Sequence, residues 1–344
     1  MPQRITTLTH GRAMIVTDLH GAGAVYDRLR DKFLEGYKAG DLHHFVICGD
    51  LIHHNGSDAE DESLRMLLDV MRLRRELGDA VVMLCGNHEM PHIYGMPLSR
   101  GHIEYTPRFE RALVELENHA DEPYNRDDVI NFLMDLPFYA FTAAGVMLTH
   151  AGPVKQIQLP EVAKQVAEFD HRVFLQQIDN ELNQYDLVHA HARYAINMGR
   201  AYDGLASHYL AVTDENDPRY NHLLRSFVYS GKPEFELLWA TLFSRNENEF
   251  PNDMRRVVDY ADAVTQFLQV MSEQVPAYPQ HIVLSGHISV HGGHHVVDDT
   301  HLRIATYEHA SPAEAGQYLI LDVEAEVEDA DALVPMLHRT SDIG

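Results

Sequence analysis

The chain has 344 residues, enough for one large domain or two ordinary ones, and enough to bury a core without cross-links. Asp and Glu outnumber Lys and Arg 52 to 27, and the resulting charge of −25 repels nucleic-acid backbones and anionic membranes, so neither a nucleic-acid duplex nor a membrane is an expected partner. No apolar run approaches the ~18 residues of a membrane-spanning helix, and a polyanionic substrate would need local positive charge of the kind bound metal ions supply.

The first residues, MPQRITTLTHGRAM, contain no apolar signal core, which sets the expectation of a cytoplasmic protein. Ala13 to Thr17 is a short apolar run, read as a buried strand that ends at Asp18. Gly21 to Gly23 then opens a helical pattern with Val25, Leu29 and Phe33 on one face. Phe45 to Cys48 reads as a second strand, ending at Gly49-Asp50, and an amphipathic helix follows from about Ala59 to Leu77. Ala80 to Cys85 reads as a third strand, ending at Gly86-Asn87-His88. Strand–helix alternation of this kind is the signature of a parallel sheet in an α/β domain. Cys48 and Cys85 each end an apolar run, so both read as buried free thiols in a reducing compartment.

Residues 90–125 are irregular and proline-rich, and read as an insertion beside the site, a candidate lid. Phe138 to Thr142 and Val146 to Thr149 read as strands joined at Ala144-Gly145, the second ending at His150. Residues 154–243 are mostly helical, broken near Asp214 to Pro218, too long for a simple connection and therefore a candidate helical insertion. A helix from about Asp253 to Gln274 follows, then strands at His281–Leu284, His294–Val297, Leu302–Thr306 and Gln317–Val323. The acidic stretch Glu324 to Asp331 reads as a solvated tail.

Five of these strands end at once on a metal-ligand residue type: Asp18-Leu-His20, Gly49-Asp50, Gly86-Asn87-His88, Thr149-His150 and Gly286-His287. Loops beyond the carboxyl ends of strands in α/β sheets converge on one crevice. Imidazole and carboxylate without thiolate suit manganese, iron or zinc. Asp18 and His20 can reach one ion, Asp50 can bridge two, and Asn87, His150 and His287 can complete the second. Such a pair of divalent or mixed-valence ions clamps a phosphate and lowers the pKa of water. His88 is then free to protonate the leaving oxygen as a general acid.

The ordered blocks resemble the calcineurin-like metallophosphoesterase superfamily, and most closely its serine/threonine phosphoprotein phosphatases. Thr17-Asp18-Leu19-His20-Gly21 is similar to that group's GDxHG block, Gly86-Asn87-His88-Glu89 is its GNHE block, and Thr149-His150-Ala151-Gly152 resembles its HGG block. Leu237-Leu238-Trp239 resembles its LLW block, Arg245 a phosphate-binding arginine downstream, and Tyr307 the active-site tyrosine of its tail loop. The resemblance implies one α/β domain over residues 1–344, a metallophosphoesterase-type β-sandwich flanked by helices with a helical insertion. It implies Asp18, His20 and Asp50 on the first ion, Asp50, Asn87, His150 and His287 on the second, and His88 as the acid.

The second block departs from the GDxVDRG of the family. Here it reads Gly49-Asp50-Leu51-Ile52-His53-His54-Asn55. His53 replaces the aspartate that orients the catalytic histidine, and His54 replaces a phosphate-clamping arginine. Imidazole cannot reproduce a bidentate guanidinium contact, so Arg245, ahead of Arg193 and Arg225, is the expected substitute, with His54 and Tyr307 also facing substrate. Ser289 stands where many superfamily members have a second metal-binding histidine, which leaves His291 as an optional extra ligand; His189, His191, His294 and His295 read as structural. The expected activity is hydrolysis of phosphomonoesters, including phosphoserine and phosphothreonine in proteins. The alternatives are a nucleotide or dinucleoside polyphosphate hydrolase and a non-catalytic metal-binding scaffold.

Overall fold

The computed structural model describes residues 3–118, 122–243 and 260–343. In chain order, β1 (Ile5–Leu8) and β2 (Arg12–Val16) precede α1 (Gly23–Ala39), β3 (His44–Ile47), α2 (Ser63–Leu77) and β4 (Val81–Met83). The segment after β4 holds α3 (Met90–Tyr94), a short hairpin of β5 (Ser99–Arg100) and β6 (Ile103–Glu104), and then α4 (Tyr105–Glu117) and α5 (Arg126–Asp135). Next come β7 (Tyr139–Thr142), β8 (Val146–Thr149), and helices α6 (Pro160–Ala167), α7 (His171–Leu182), α8 (Leu187–Met198), α9 (Tyr202–Tyr209), α10 (Ser226–Tyr229) and α11 (Pro233–Phe243). The chain resumes with α12 (Tyr260–Ser272), β9 (Ile282–Ser285), β10 (Val290–His291), β11 (His294–Asp298), β12 (His301–Ile304), β13 (Ala310–Ser311), β14 (Gln317–Asp322) and β15 (Leu337–Arg339).

Two mixed sheets face each other. One runs β1-β7-β8-β9-β12-β11 and the other β15-β14-β2-β3-β4. The sandwich flanked by helices is as expected, and so is the parallel pairing that the strand–helix alternation implied for the first strands. Strands β2, β3 and β4 are parallel, but β14 and β15 add to them antiparallel. The reason is tertiary: β14 returns from the far end of the chain, a pairing that local periodicity cannot show.

The continuous apolar runs follow from a strand's two-residue period, because both faces are covered. Ala13 and Ile15 of β2, Val46 of β3, Leu148 of β8 and Leu284 of β9 point between the sheets. Met14, Val16, Phe45 and Ile47 point the other way, under helices. The stripe on α1 is Tyr26, Leu29 and Phe33, with Val25 only partly buried. Gly40 ends that helix in the left-handed conformation (φ 79°), where a side chain would be strained.

Several local expectations change. The helix expected from Ala59 is a single 3₁₀ turn, Asp58–Glu60, followed by α2 from Ser63. Between residues 90 and 117 the expected irregular stretch holds α3, the β5–β6 hairpin and α4. Two of its prolines sit where helices tolerate them: Pro91 in the first turn of α3 and Pro107 early in α4. The acidic stretch is not a free tail, because Val327 and Ala330 are buried beneath it and the chain continues into β15. Among the described residues, no helix is long and apolar enough to cross a membrane.

Candidate active site

Strands β2, β3 and β4 run parallel in one sheet, and β8, β9 and β12 run parallel in the other. Their carboxyl ends meet along one edge of the sandwich, which brings Asp18, His20, Asp50, Asn87, His88, His150 and His287 together. The seam is stitched by hydrogen bonds between sheets: Thr17 N donates to Thr306 Oγ1 (2.9 Å), and His287 N donates to both Asp18 carboxylate oxygens (3.1 and 3.0 Å).

The turns that carry these groups are tight. Asp18, His20, Asp50, His53 and His287 all have positive φ, between 43° and 76°. Each such non-glycine residue costs about 1–3 kcal/mol, and the clustering marks a place where position outranks local stability. Gly86 is required by close approach, because a Cβ there would overlap Asp50 Oδ1 and lie 2.5 Å from Asp50 N. Glu89 ties the β3 and β4 loops together. Its buried carboxylate accepts from Asp50 N (3.1 Å), Leu51 N (3.1 Å) and Gly86 N (2.8 Å). Burial, and then the nearby Asp50, push its pKa up to about 7.

Three groups of potential ligand atoms form, each within 4.8 Å: Asp18, His20 and His309; His20, Asp50 and His88; and Asp50, His150 and His287. Asp50 lies between the clusters. Its Oδ2 is 3.5 Å from His20 Nε2, and its Oδ1 is 3.5 Å from His150 Nε2.

The donor set fits a pair of metal ions on its own chemistry. His20 Nδ1 donates to the His53 carbonyl (3.2 Å), so its buried Nε2 carries the lone pair, and that atom has no hydrogen-bond partner. His150 Nδ1 donates to the Cys48 carbonyl (3.0 Å), which turns the lone pair of Nε2 toward Asn87 Oδ1 at 3.0 Å. Two acceptors face each other there, an arrangement that a cation resolves. Burial, followed by the proximity of His309, lowers the His20 pKa to about 3. Burial, followed by neighbouring histidines, holds His88 and His287 well below the usual imidazole range. Burial and then Asp18 raise Asp50 well above the usual carboxylate range. A bound cation would supply the opposite charge that the Asp50 carboxylate lacks, and the neutral imidazoles keep their lone pairs free for it.

A cleft of about 600 Å³ opens over this centre, lined by Asp50, Asn87, His88, Arg100, Phe243, His287, Ile288, Ser289 and His309. Of the three substrate-binding residues expected from sequence, His54 and Tyr307 do not line it. Arg245 lies outside the described residues. His54 Nδ1 accepts from Gly56 N (2.9 Å) in a local turn, and Tyr307 packs against the hydrophobic core. Arg225 is buried and paired with Asp179 (2.7 Å), and Arg193 lies over Phe227. His291 is exposed and outside the three groups. His189 pairs with Asp186 on the surface, His191 bonds Asn221, and His294 bonds Gln317.

Two polar residues beside the candidate site, His309 and Arg100, were missed. His309 comes within 3.7 Å of Asp18 and stacks edge-on with His20. A histidine two residues beyond Tyr307, in a loop already expected at the site, was the available signal. Arg100 reaches the cleft from β5, inside the segment read as an insertion, and no local pattern announces it.

A family model described as calcineurin-like phosphoesterase matches residues 11–224. No curated protein matches the chain. Among solved structures, a protein serine/threonine phosphatase from Saccharomyces cerevisiae with similarity to human phosphatase PP5 aligns at 11% identity and a TM-score of 0.48. That alignment covers 93% of this chain and 77% of the yeast one. A cold-active protein-tyrosine phosphatase of a psychrophilic Shewanella aligns at 15% identity and a TM-score of 0.40, over 94% of this chain and 78% of its own. A metallophosphoesterase from Sphaerobacter thermophilus aligns at 16% identity and a TM-score of 0.24, over 42% and 48%.

Proposed function

The chain belongs to the calcineurin-like phosphoesterase family of metal-dependent phosphoester hydrolases, and on that premise we propose that it cleaves phosphomonoesters, phosphoserine and phosphothreonine side chains among them. The observation that carries the reading is the position of Asp50, with one carboxylate oxygen facing each ligand cluster. In this reading Asp18, His20 and Asp50 hold one ion, with His309 as a further ligand. Asp50, Asn87, His150 and His287 hold the other. Such a pair neutralises phosphate charge and makes hydroxide available near neutral pH.

The remaining work falls to the chain's own groups. His88 Nε2, 4.0 Å from Asp50 Oδ2 and open to the cleft, delivers a proton to the leaving alkoxide. Arg100, which lines the cleft with its side chain about two-thirds exposed, grips the phosphate in this reading. On this reading the phosphate-binding cation is on β5 rather than at position 54. Phe243 and Ile288 wall the cleft and shield the reacting group from bulk water.

Turnover of an aryl phosphate with added manganese tests the mechanism. Asp50→Asn and His88→Asn should each abolish it by about 10²-fold or more, and wild-type rates in both would refute it. A panel of phosphopeptides and nucleotides tests the substrate. Higher kcat/KM on nucleotides or dinucleoside polyphosphates would replace the phosphoprotein reading. Purified protein that binds no metal would favour a scaffold.

A further inference from the structure

Behind His88, a chain of buried hydrogen bonds leads away from the cleft. His88 Nδ1 lies 3.1 Å from His53 Nδ1, and His53 Nε2 lies 2.8 Å from His92 Nε2. His92 Nδ1 lies 2.8 Å from Glu110 Oε1, and Glu110 Oε2 accepts from Arg126 Nη2 at 2.9 Å. His53, His92, Glu110 and Arg126 are all buried. They come from four places: the loop after β3, helix α3, helix α4 and the first turn of α5. Tyr105 stacks flat on the His53 ring (centroids 5.2 Å apart), and Phe109 packs on the His92 ring (4.5 Å). These contacts hold the imidazole planes in register.

One end of the chain sets the direction of every bond in it. Arg126 has only donors, and a carboxylate has only acceptors. Burial alone would raise the Glu110 carboxyl, but Arg126 and the His92 hydrogen bond outweigh it and hold the group below its ordinary value. His92 must therefore donate from Nδ1, which leaves the lone pair on its Nε2. His53 must then donate from Nε2, which leaves the lone pair on its Nδ1. His88 in turn must donate from Nδ1, with its Nε2 turned to the cleft.

We propose that His53, His92 and Glu110 form a positioning relay that fixes the tautomer and ring orientation of His88, doing through two imidazoles what a directly bonded carboxylate would do. The relay rests on the reading of His88 as the acid. It explains how a histidine can stand at position 53, where an orienting acid was expected. Imidazole transmits the acceptor character of a carboxylate from one ring nitrogen to the other. It also gives the segment after β4 a purpose other than covering the cleft, since α3, α4 and α5 carry the distant half of the relay.

The chain predicts an inversion. In Glu110→Gln, Arg126 demands the amide oxygen, so the amide NH₂ turns to His92. His92 then accepts at Nδ1, and every bond in the chain reverses. His88 is left accepting at Nδ1 and can no longer carry protons on both nitrogens without opposing the His53 proton. Glu110→Gln should lower kcat about 10- to 100-fold, with KM within about twofold of wild type.

His53→Asp supplies the decisive background. Aspartate Oδ1 and histidine Nδ1 are both attached at Cγ, so the carboxylate can accept directly from His88. Asp also tolerates the positive φ of 76° at position 53. In that background Glu110→Gln should leave kcat unchanged, because the relay has been bypassed. An equal loss of kcat in both backgrounds would assign Glu110 a structural role and overturn the proposal. Long-range ¹H–¹⁵N correlation spectra of zinc-loaded, ¹⁵N-histidine-labelled wild-type protein provide a readout that needs no variant. His92 should be protonated at Nδ1 and His53 at Nε2, and the opposite pattern would overturn the relay even if Glu110→Gln fails to fold. Full turnover in His88→Asn would refute the acid role instead, while the tautomers of His53 and His92 would still report on the chain itself.

Discussion

Replacing Gly286 with alanine tests whether the seam between the sheets sets the metal geometry. Gly286 follows β9 and precedes His287, and its backbone does not lie in the left-handed region. The substitution therefore acts by volume alone. A Cβ there would overlap Asp18 Oδ2 and lie 2.8 Å from Thr17 Cβ, whereas ordinary contact begins near 3.4 Å. The carboxylate or the loop must move by about 1 Å, a displacement that commonly costs about 10²-fold in rate. Overpacking contributes about 1–3 kcal/mol. Loss of the His287 N–H bonds to Asp18 contributes about 1.5–3 kcal/mol more, so the folded state should weaken by ~2.5–6 kcal/mol. Asp18 belongs to the first cluster, whereas Asn87 and His150 lie across Asp50. Metal content should accordingly fall from about two ions to one per chain. Elemental analysis after gel filtration, urea unfolding and aryl phosphate turnover would measure the three effects. Gly231→Ala, which meets nothing within 4 Å, is the control. Two tightly held ions and wild-type turnover in Gly286→Ala would refute the reasoning.

Chelation should lower the urea midpoint as well as abolish turnover, because metal binding adds about 2.7 kcal/mol per ion at a hundredfold excess over Kd; an unchanged midpoint would argue that the clusters hold no metal. His171, buried against Phe138 and Phe169, is held well below the usual imidazole range by burial and then by Arg4 and Arg172. Below pH ~6.5 the unfolded chain therefore binds a proton that the folded chain refuses, and stability should fall with pH by up to about 1.4 kcal/mol per unit from this group. Urea unfolding at several pH values should show a shallower acid slope in His171→Gln, and identical slopes would contradict the assignment. Cys48 and Cys85 are fully buried, and burial raises both thiols. A thiol reagent should label them only as fast as the protein opens, and rapid native-state labelling would refute their burial.

Much of the residue cluster was legible in the chain because each candidate ligand follows an apolar strand directly. A short apolar run ending in Asp, His or Gly-Asn-His places a donor at a strand tip, and the fold then brings strand tips together. Asp18, His20, Asp50, Asn87, His150 and His287 could be named on that basis, and so could the buried thiols. The helical character of 161–243 was equally readable from its periodicity.

What local pattern could not carry was anything that depends on distant segments meeting. The antiparallel addition of β14 beside β2 joins residues about three hundred positions apart. His309 joins Asp18 and His20 only because the β12 sheet packs over the β2 sheet. Arg100 gains its meaning from a two-residue strand that no propensity marks. Glu110 fell in the stretch read as an irregular insertion, where no pattern singled it out. Its link to His88 exists because α3 and α4 set two imidazoles between them, with every hydrogen-bond direction dictated by one buried guanidinium. The chemistry of a donor is a property of the residue and can be read in sequence; which donors face one another is a property of packing, and only the tertiary structure decides it.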